Sequence, residues 1–181
     1  MSHTIRRFEP ADRDRVAAFA ATLDEHDLLF LGRDLHHPRV IEAWLKAVAE
    51  GWIDSLLAED MDAEGSPVVG TAALVRDPLG WSAHVGEVRL LVSPDRRGAG
   101  VGRDLLEAVF AIAQGRGLAK LSARMTPDQT GSVALFESLG FRAEALLKDQ
   151  VRDRSGRAHD LAILSHDAAR HAARQRAFGM E

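Results

Sequence analysis

The stretch Glu87 to Gly102, EVRLLVSPDRRGAGVG, decides how this chain is read. In its first half, period two places Val88, Leu90 and Val92 on one side of an extended strand and Glu87, Arg89 and Leu91 on the other. Ser93-Pro94 ends the strand, and the basic turn through Arg96 and Arg97 leads into Gly98-Ala99-Gly100-Val101-Gly102. From Val101 onward Leu105, Leu106, Val109, Phe110, Ile112 and Ala113 recur at helical spacing, so a helix opens directly behind the glycines. The first turn of such a helix has four N–H groups without intrahelical partners and a partial positive charge. Glycines there remove the Cβ atoms that would hold an anion away, and they permit positive φ. With two arginines beside it, this is the composition of a phosphate or pyrophosphate cradle. A glycine-bearing helix start without a ligand is the plain alternative. Nucleotide fingerprints fit poorly: Gly102 follows Gly100 by two positions where a dinucleotide site needs three, and no Gly-Lys-Ser/Thr is present.

Outward from this stretch, the chain reads as alternating strands and helices. Toward the N-terminus, Thr4 to Phe8 predicts a strand, and Val16, Phe19, Ala20 and Leu23 mark one helical face. Residues 24–32, DEHDLLFLG, lack clean periodicity and read as a loop or broken helix. Pro38 suits a helix start, and Val40, Ile41, Trp44, Leu45 and Val48 form the stripe of a second helix ending near Gly51. Ile53–Glu59, Val68–Val75 and His84–Val92 then predict an antiparallel meander. Beyond the glycines lie a strand at Leu118–Met125, a short helix at Ser132–Leu139 and a hairpin made of Phe141–Val151 and Ala158–Leu164. This order predicts a single α+β domain over residues 1–165, with a peripheral, helical tail over 166–181.

Composition narrows the chemistry. The 181 residues contain no cysteine and no tyrosine, which excludes disulfides, thiolate nucleophiles and any phenolic acid or base. A net charge of -4 argues against a general nucleic-acid surface. The start of the chain carries no apolar signal core, and no run approaches the roughly 20 apolar residues that span a bilayer. A cytoplasmic protein without nucleic-acid or membrane partners is the expectation. The eight histidines show no metal-ligand spacing, so no metal is expected.

Ser93 to Gly102 resembles the acyl-CoA signature of the GNAT superfamily of N-acetyltransferases, with Arg97-Gly98-Ala99-Gly100-Val101-Gly102 as its core. Some 40 residues on, Ala134 to Phe141 (ALFESLGF) resembles the family's closing segment, a short helix ending in Leu-Gly-Phe. The resemblance implies a mixed, mostly antiparallel central sheet flanked by helices, with a splayed pair of parallel central strands. It implies acetyl-CoA as co-substrate and direct transfer to a primary amine in a ternary complex. Leu90, Leu91 and Val92 would offer main-chain groups to the pantetheine arm. Arg97, Gly98, Ala99, Gly100, Val101 and Gly102 would hold the pyrophosphate. Gln129 stands where many members place an asparagine against the cofactor arm.

Glu87 is the candidate base, since members often carry a glutamate in this strand that deprotonates the amine through water; an ion pair with Arg89 or a solvated edge charge is the alternative reading of the same residue. His84 is an alternative base. Many members carry a tyrosine acid just before the closing segment, and Phe136 occupies that position. A thiol titrates near pH 8.5, so its thiolate can leave without a dedicated acid, and Ser132 or Ser138 could serve. The acidic segment Asp24 to Asp27 could attract a cationic amine. The acceptor is read as a small-molecule amine, and homodimer formation is left open. A protein N-acetyltransferase, an acyl-CoA-binding homologue without catalysis and a nucleotide-binding regulator are the competing readings.

Overall fold

The computed structural model describes residues 2–168. Its elements are β1 (His3–Arg7), α1 (Arg13–Ala20), α2 (Glu25–Leu28), α3 (Pro38–Ala49), β2 (Ile53–Asp60), β3 (Val68–Val75), β4 (Val85–Val92), α4 (Val101–Gly115), β5 (Lys120–Met125), α5 (Thr130–Ser138), β6 (Arg142–Arg152) and β7 (Ala158–Asp167). The strands form one sheet in the order β1-β2-β3-β4-β5-β7-β6. Neighbours run antiparallel except β4 and β5, which are parallel. That pair is parallel because α4 intervenes, and a crossover helix returns the chain to the same end of the sheet. The α+β class and the mixed, mostly antiparallel sheet are as the sequence leads one to expect.

Period two sends alternate residues of the central strands into two separate cores. On one face Leu56, Ala58, Ala72, Leu74 and Val88 pack against Val101, Leu105, Leu106, Val109 and Ala113 of α4. On the other, Leu57 and Leu91 pack with Phe8, Val16 and Phe19 near α1 and with Ile41 of α3. Each fully buried leucine or valine contributes about 1.5–3 kcal/mol of transfer free energy, so α4 is fixed mainly by its buried stripe. Helix α3 opens on Pro38, with His37 accepting a hydrogen bond from the Arg39 amide. Its Trp44 Nε1 donates to Ser55 Oγ at 2.7 Å, which ties the helix to β2.

Two local readings are sharpened. Residues 24–32 form α2 followed by a tight turn over Leu29–Leu31, stopped by Gly32 at φ +65°. Two short turns of different pitch replace one helix, which is why no single period fits them. At the other end, β7 continues through Asp167 because Ser165, His166 and Asp167 pair with Ser122, Leu121 and Lys120 of β5. Of the helical tail expected over 166–181, residues 166 and 167 belong to β7 instead, and residues 169–181 lie outside the described residues.

Candidate functional site

Strands β4 and β5 stay paired only from Val85/Lys120 to Val88/Ala123. Beyond that point Arg89 to Val92 continue beside β3 alone. The splayed end opens into a cleft of about 590 Å³, lined on the strand side by Leu90, Leu91 and Val92. Gly98, Gly100 and Gly102 line it at the start of α4, and Gln129 to Ser132 line it at the start of α5.

The three glycines behave as two different devices. Gly98 and Gly100 lie in the left-handed region at φ +77° and +90°, and a Cβ on either would meet no described atom within 4 Å. Their role is to turn the chain and leave space in front of the α4 N-terminus. Gly102 has no such φ; its Cβ would stand 3.1 Å from Leu135 Cδ2, so it lets α5 approach α4. Among the described residues no side chain caps α4 at Gly100. The amides of Val101, Gly102 and Arg103 therefore have no intrahelical acceptor; Gly102 and Arg103 line the cleft together with Arg96 and Arg97, whereas Ala99 and Val101 are outside its lining. Open space, uncapped amides and three guanidiniums together fit a pyrophosphate.

The side chains around the cleft are already engaged. Arg97 donates to Asp27 Oδ2 at 2.6 Å, and its Nε donates to the Val92 carbonyl at 3.3 Å. Arg96 is held by buried Asp60. Gln129 Oε1 accepts from the Thr126 amide at 3.3 Å, placing its amide group at the α5 start. His26 sits 3.1 Å from Asp128 and 3.2 Å from Thr126 Oγ1. Hydrogen bonds from Thr126 and then His26 hold the Asp128 carboxyl below its ordinary value, against a smaller opposing effect of burial. Glu25 accepts from the Arg154 amide at 2.6 Å. Within the acidic segment, Asp24 is exposed and has no described side-chain partner. Glu25, His26 and Asp27 instead tether α2 to three loops around the splayed end, partners 70 to 129 residues away that no local pattern reveals.

Glu87 lies where alternation places it, on the face shared with Arg89 and Leu91. Its Oε1 accepts from Arg89 Nε at 2.7 Å, and its Oε2 stands 3.5 Å from Arg124 Nε. Glu87 is outside the linings of both clefts described in this section, whereas Arg89 lines the second. His84 is exposed at the start of β4, the end remote from the splay. Phe136 is buried, with its ring 4.9 Å from that of Phe141 in edge contact, so a core side chain fills the usual acid's place. Ser138 Oγ donates to the Leu135 carbonyl, and Ser132 lines the cleft.

The second cavity, about 430 Å³, lies across the sheet between α3 and strands β2 to β4. Apolar groups including Leu35, Trp44, Trp52 and Leu91 line it, together with Arg33, Arg76 and Arg89. Leu91 belongs to both linings, so both cavities border the same residue of the splayed strand. Sequence reading missed this cavity, because Trp44 counts as core in the α3 stripe and nothing local singles out Arg76 or Trp52.

The acetyltransferase (GNAT) family model matches residues 19–141, about two thirds of the chain. The chain belongs to the GNAT family. A mycothiol acetyltransferase from Renibacterium salmoninarum is 32% identical over 116 residues, covering 59% of this chain and 33% of that protein. This GNAT chain thus matches about one third of that curated relative's length. An N-acetyltransferase from Staphylococcus aureus shares the fold with a TM-score of 0.78 at 18% identity, over 93% of this chain and 99% of that one. A spermidine N-acetyltransferase from Vibrio cholerae, solved with CoA and spermine, superposes with a TM-score of 0.74 at 16% identity, over 92% and 96% of the two chains. At these identities the two structures speak to the GNAT fold alone. Among the described residues no helix is long and apolar enough to cross a membrane, and no group of three or more His, Asp or Glu side chains could hold a metal ion.

Proposed function

We propose that this GNAT chain transfers an acetyl group from acetyl-CoA to a primary amine on a small molecule, in one ternary complex. The observation that carries this reading is that two cavities border the same residue, Leu91, on an unpaired strand end. Acetyl-CoA supplies the acetyl thioester: a nitrogen–carbon bond forms, the carbon–sulfur bond breaks, and the thiolate takes up a proton. The relative and the CoA-bound neighbour named above agree with this assignment.

In this proposal the amides of Val101 and Gly102 and the guanidinium of Arg97 bind the pyrophosphate, with Gly98, Ala99 and Gly100 keeping the approach open. Arg97 then exchanges Asp27 for the phosphate oxygens, a stronger partner because it brings two negative charges. Backbone groups of Leu90, Leu91 and Val92 align the pantetheine arm, and the Gln129 amide contacts it. Glu87 accepts the amine proton through a chain of intervening waters. The thiolate leaves without a side-chain acid, since Phe136 has no proton to give. The apolar cavity under α3 receives the acceptor.

The test is a thermal-unfolding series with acetyl-CoA, ATP and NAD, followed by thiol release with an amine panel. At 100 times Kd, acetyl-CoA is expected to add about 2.7 kcal/mol of stability while the nucleotides add none. Absence of a shift at millimolar acetyl-CoA overturns the reading. A shift without thiol release from any amine identifies a binding protein instead of an enzyme.

A further inference from the structure

The cavity under α3 has an unusual lining for an amine site. Its charged groups are three guanidiniums, Arg33, Arg76 and Arg89, against the single carboxylate of Glu50, which is exposed. The other nearby acids are spoken for: Glu87 by Arg89 and Arg124, Asp54 by Arg76 and Arg116. Arg89 uses its Nε on Glu87, and its terminal nitrogens have no partner among the described residues. Arg76 donates from Nη2 to the Gly51 carbonyl, while its buried Nε has no hydrogen-bond partner among the described residues. Arg33 is exposed on the loop at the cavity's edge, with no described partner. The remaining surface is apolar, built from Leu31, Leu35, Val40, Trp44, Trp52 and Leu91.

Resting on the acetyl-transfer reading above, we infer that the acceptor is an α-amino acid with an apolar side chain. Its carboxylate pairs with Arg89, with Arg76 and Arg33 adding positive potential. Buried or half-buried guanidiniums with free donors call for an anion, and a forked donor matches a carboxylate. A polyamine would instead bring cations to three like charges, which is strongly unfavourable in a half-enclosed site. Arg89 and Leu91 are two residues apart on one face, about 7 Å along the strand. The amine must reach the splay at Leu91 while the carboxylate reaches the Arg89 guanidinium, and in an α-amino acid one carbon atom separates these groups, so the long arginine side chain has to span most of that distance. The side chain then fills the space between Leu35, Trp44 and Trp52, and about 430 Å³ is within the range of small-ligand pockets.

The experiment compares kcat/KM for leucine, methionine, phenylalanine and tryptophan, each beside its carboxamide and decarboxylated amine, with spermidine as the cationic control. The best acid is expected to exceed its amide by about 10- to 100-fold, the value of one or two charge-assisted hydrogen bonds. In Arg89→Gln that ratio falls toward one, and in Arg33→Gln, which alters only an exposed loop, it falls several-fold. A binding arm without turnover measures N-acetyl-leucine against N-acetyl-leucinamide on the CoA-loaded protein by calorimetry, where the acid is expected to bind tighter by a similar factor. Amides or spermidine matching or surpassing all four acids, or equal binding of the acetylated acid and amide, overturns the inference. If those results come with a normal acetyl-CoA thermal shift, only the acceptor class is wrong; without the shift, the acetyl-transfer reading itself has failed.

Discussion

Glu87 shows how one side chain can be legible in position and in one partner while a second partner stays hidden. Alternation along β4 places it correctly, and the ion pair with Arg89 is as short as a 2.7 Å hydrogen bond allows. Arg124 arrives from β5, a strand whose pairing with β4 is a tertiary fact. If Glu87 accepts the amine proton through water, Glu87→Gln lowers kcat by about 10²- to 10⁴-fold while the acetyl-CoA thermal shift is kept. Rapid-quench or thiol-release kinetics read this directly. An unchanged kcat with a raised acceptor KM would reassign Glu87 to positioning Arg89. Phe136 gives the complementary lesson: its identity was plain in the sequence, and its burial against Phe141 shows that the residue was absorbed into the core.

At the scale of elements, α4 carries the site and its glycines divide by backbone conformation. Gly100 and Gly115 both have open space around a would-be Cβ, but only Gly100 has a left-handed φ. Gly100→Ala is therefore expected to destabilise the fold by about 1–2 kcal/mol. Gly115→Ala, inside the last helical turn, should stabilise by about 0.5–1 kcal/mol because alanine loses less backbone entropy. Urea unfolding of the two variants beside the wild type checks both signs, and equal effects would refute the conformational argument. That glycines crowd this turn was evident from spacing. Which of them sets φ and which, like Gly102, makes room for Leu135 depends on how α5 docks, a contact between residues 33 positions apart.

Across the whole molecule, the N-terminal strand is locked to the sheet by a buried charge cluster. Arg6 bonds Asp12 at 2.5–2.7 Å and Glu59 at 2.6 Å, while Arg15 reaches Glu59 and the Ser66 carbonyl. The hydrogen bond from Arg6 holds the Asp12 carboxyl below its ordinary value of 3.8. For Glu59, burial pushes upward but the bonds from Arg6 and Arg15 outweigh it, and the net direction is again down. Carboxylates with lowered folded values stabilise the protein above their unfolded values, and that contribution disappears as pH falls through the folded ones. Stability should therefore decline below about pH 4. Asp12→Asn should lose about 1–3 kcal/mol at pH 7, a figure discounted because both arginines are about one-third exposed. It should also show a shallower acid limb in urea titrations; an unchanged limb would mean that other carboxylates govern acid unfolding.

The sequence by itself determined the order of strands and helices, the two faces of β4, the glycine turn ahead of α4 and the family signature, because each is set by residues a few positions apart. Tertiary structure alone decided the extent of the splay, the tethering of α2 through Glu25, His26 and Asp27, and the arginine-lined cavity that shares Leu91 with the glycine cleft. Those features join side chains from distant segments across both faces of one sheet. Short-range periodicity encodes which face a residue takes, and only packing fixes what it meets there.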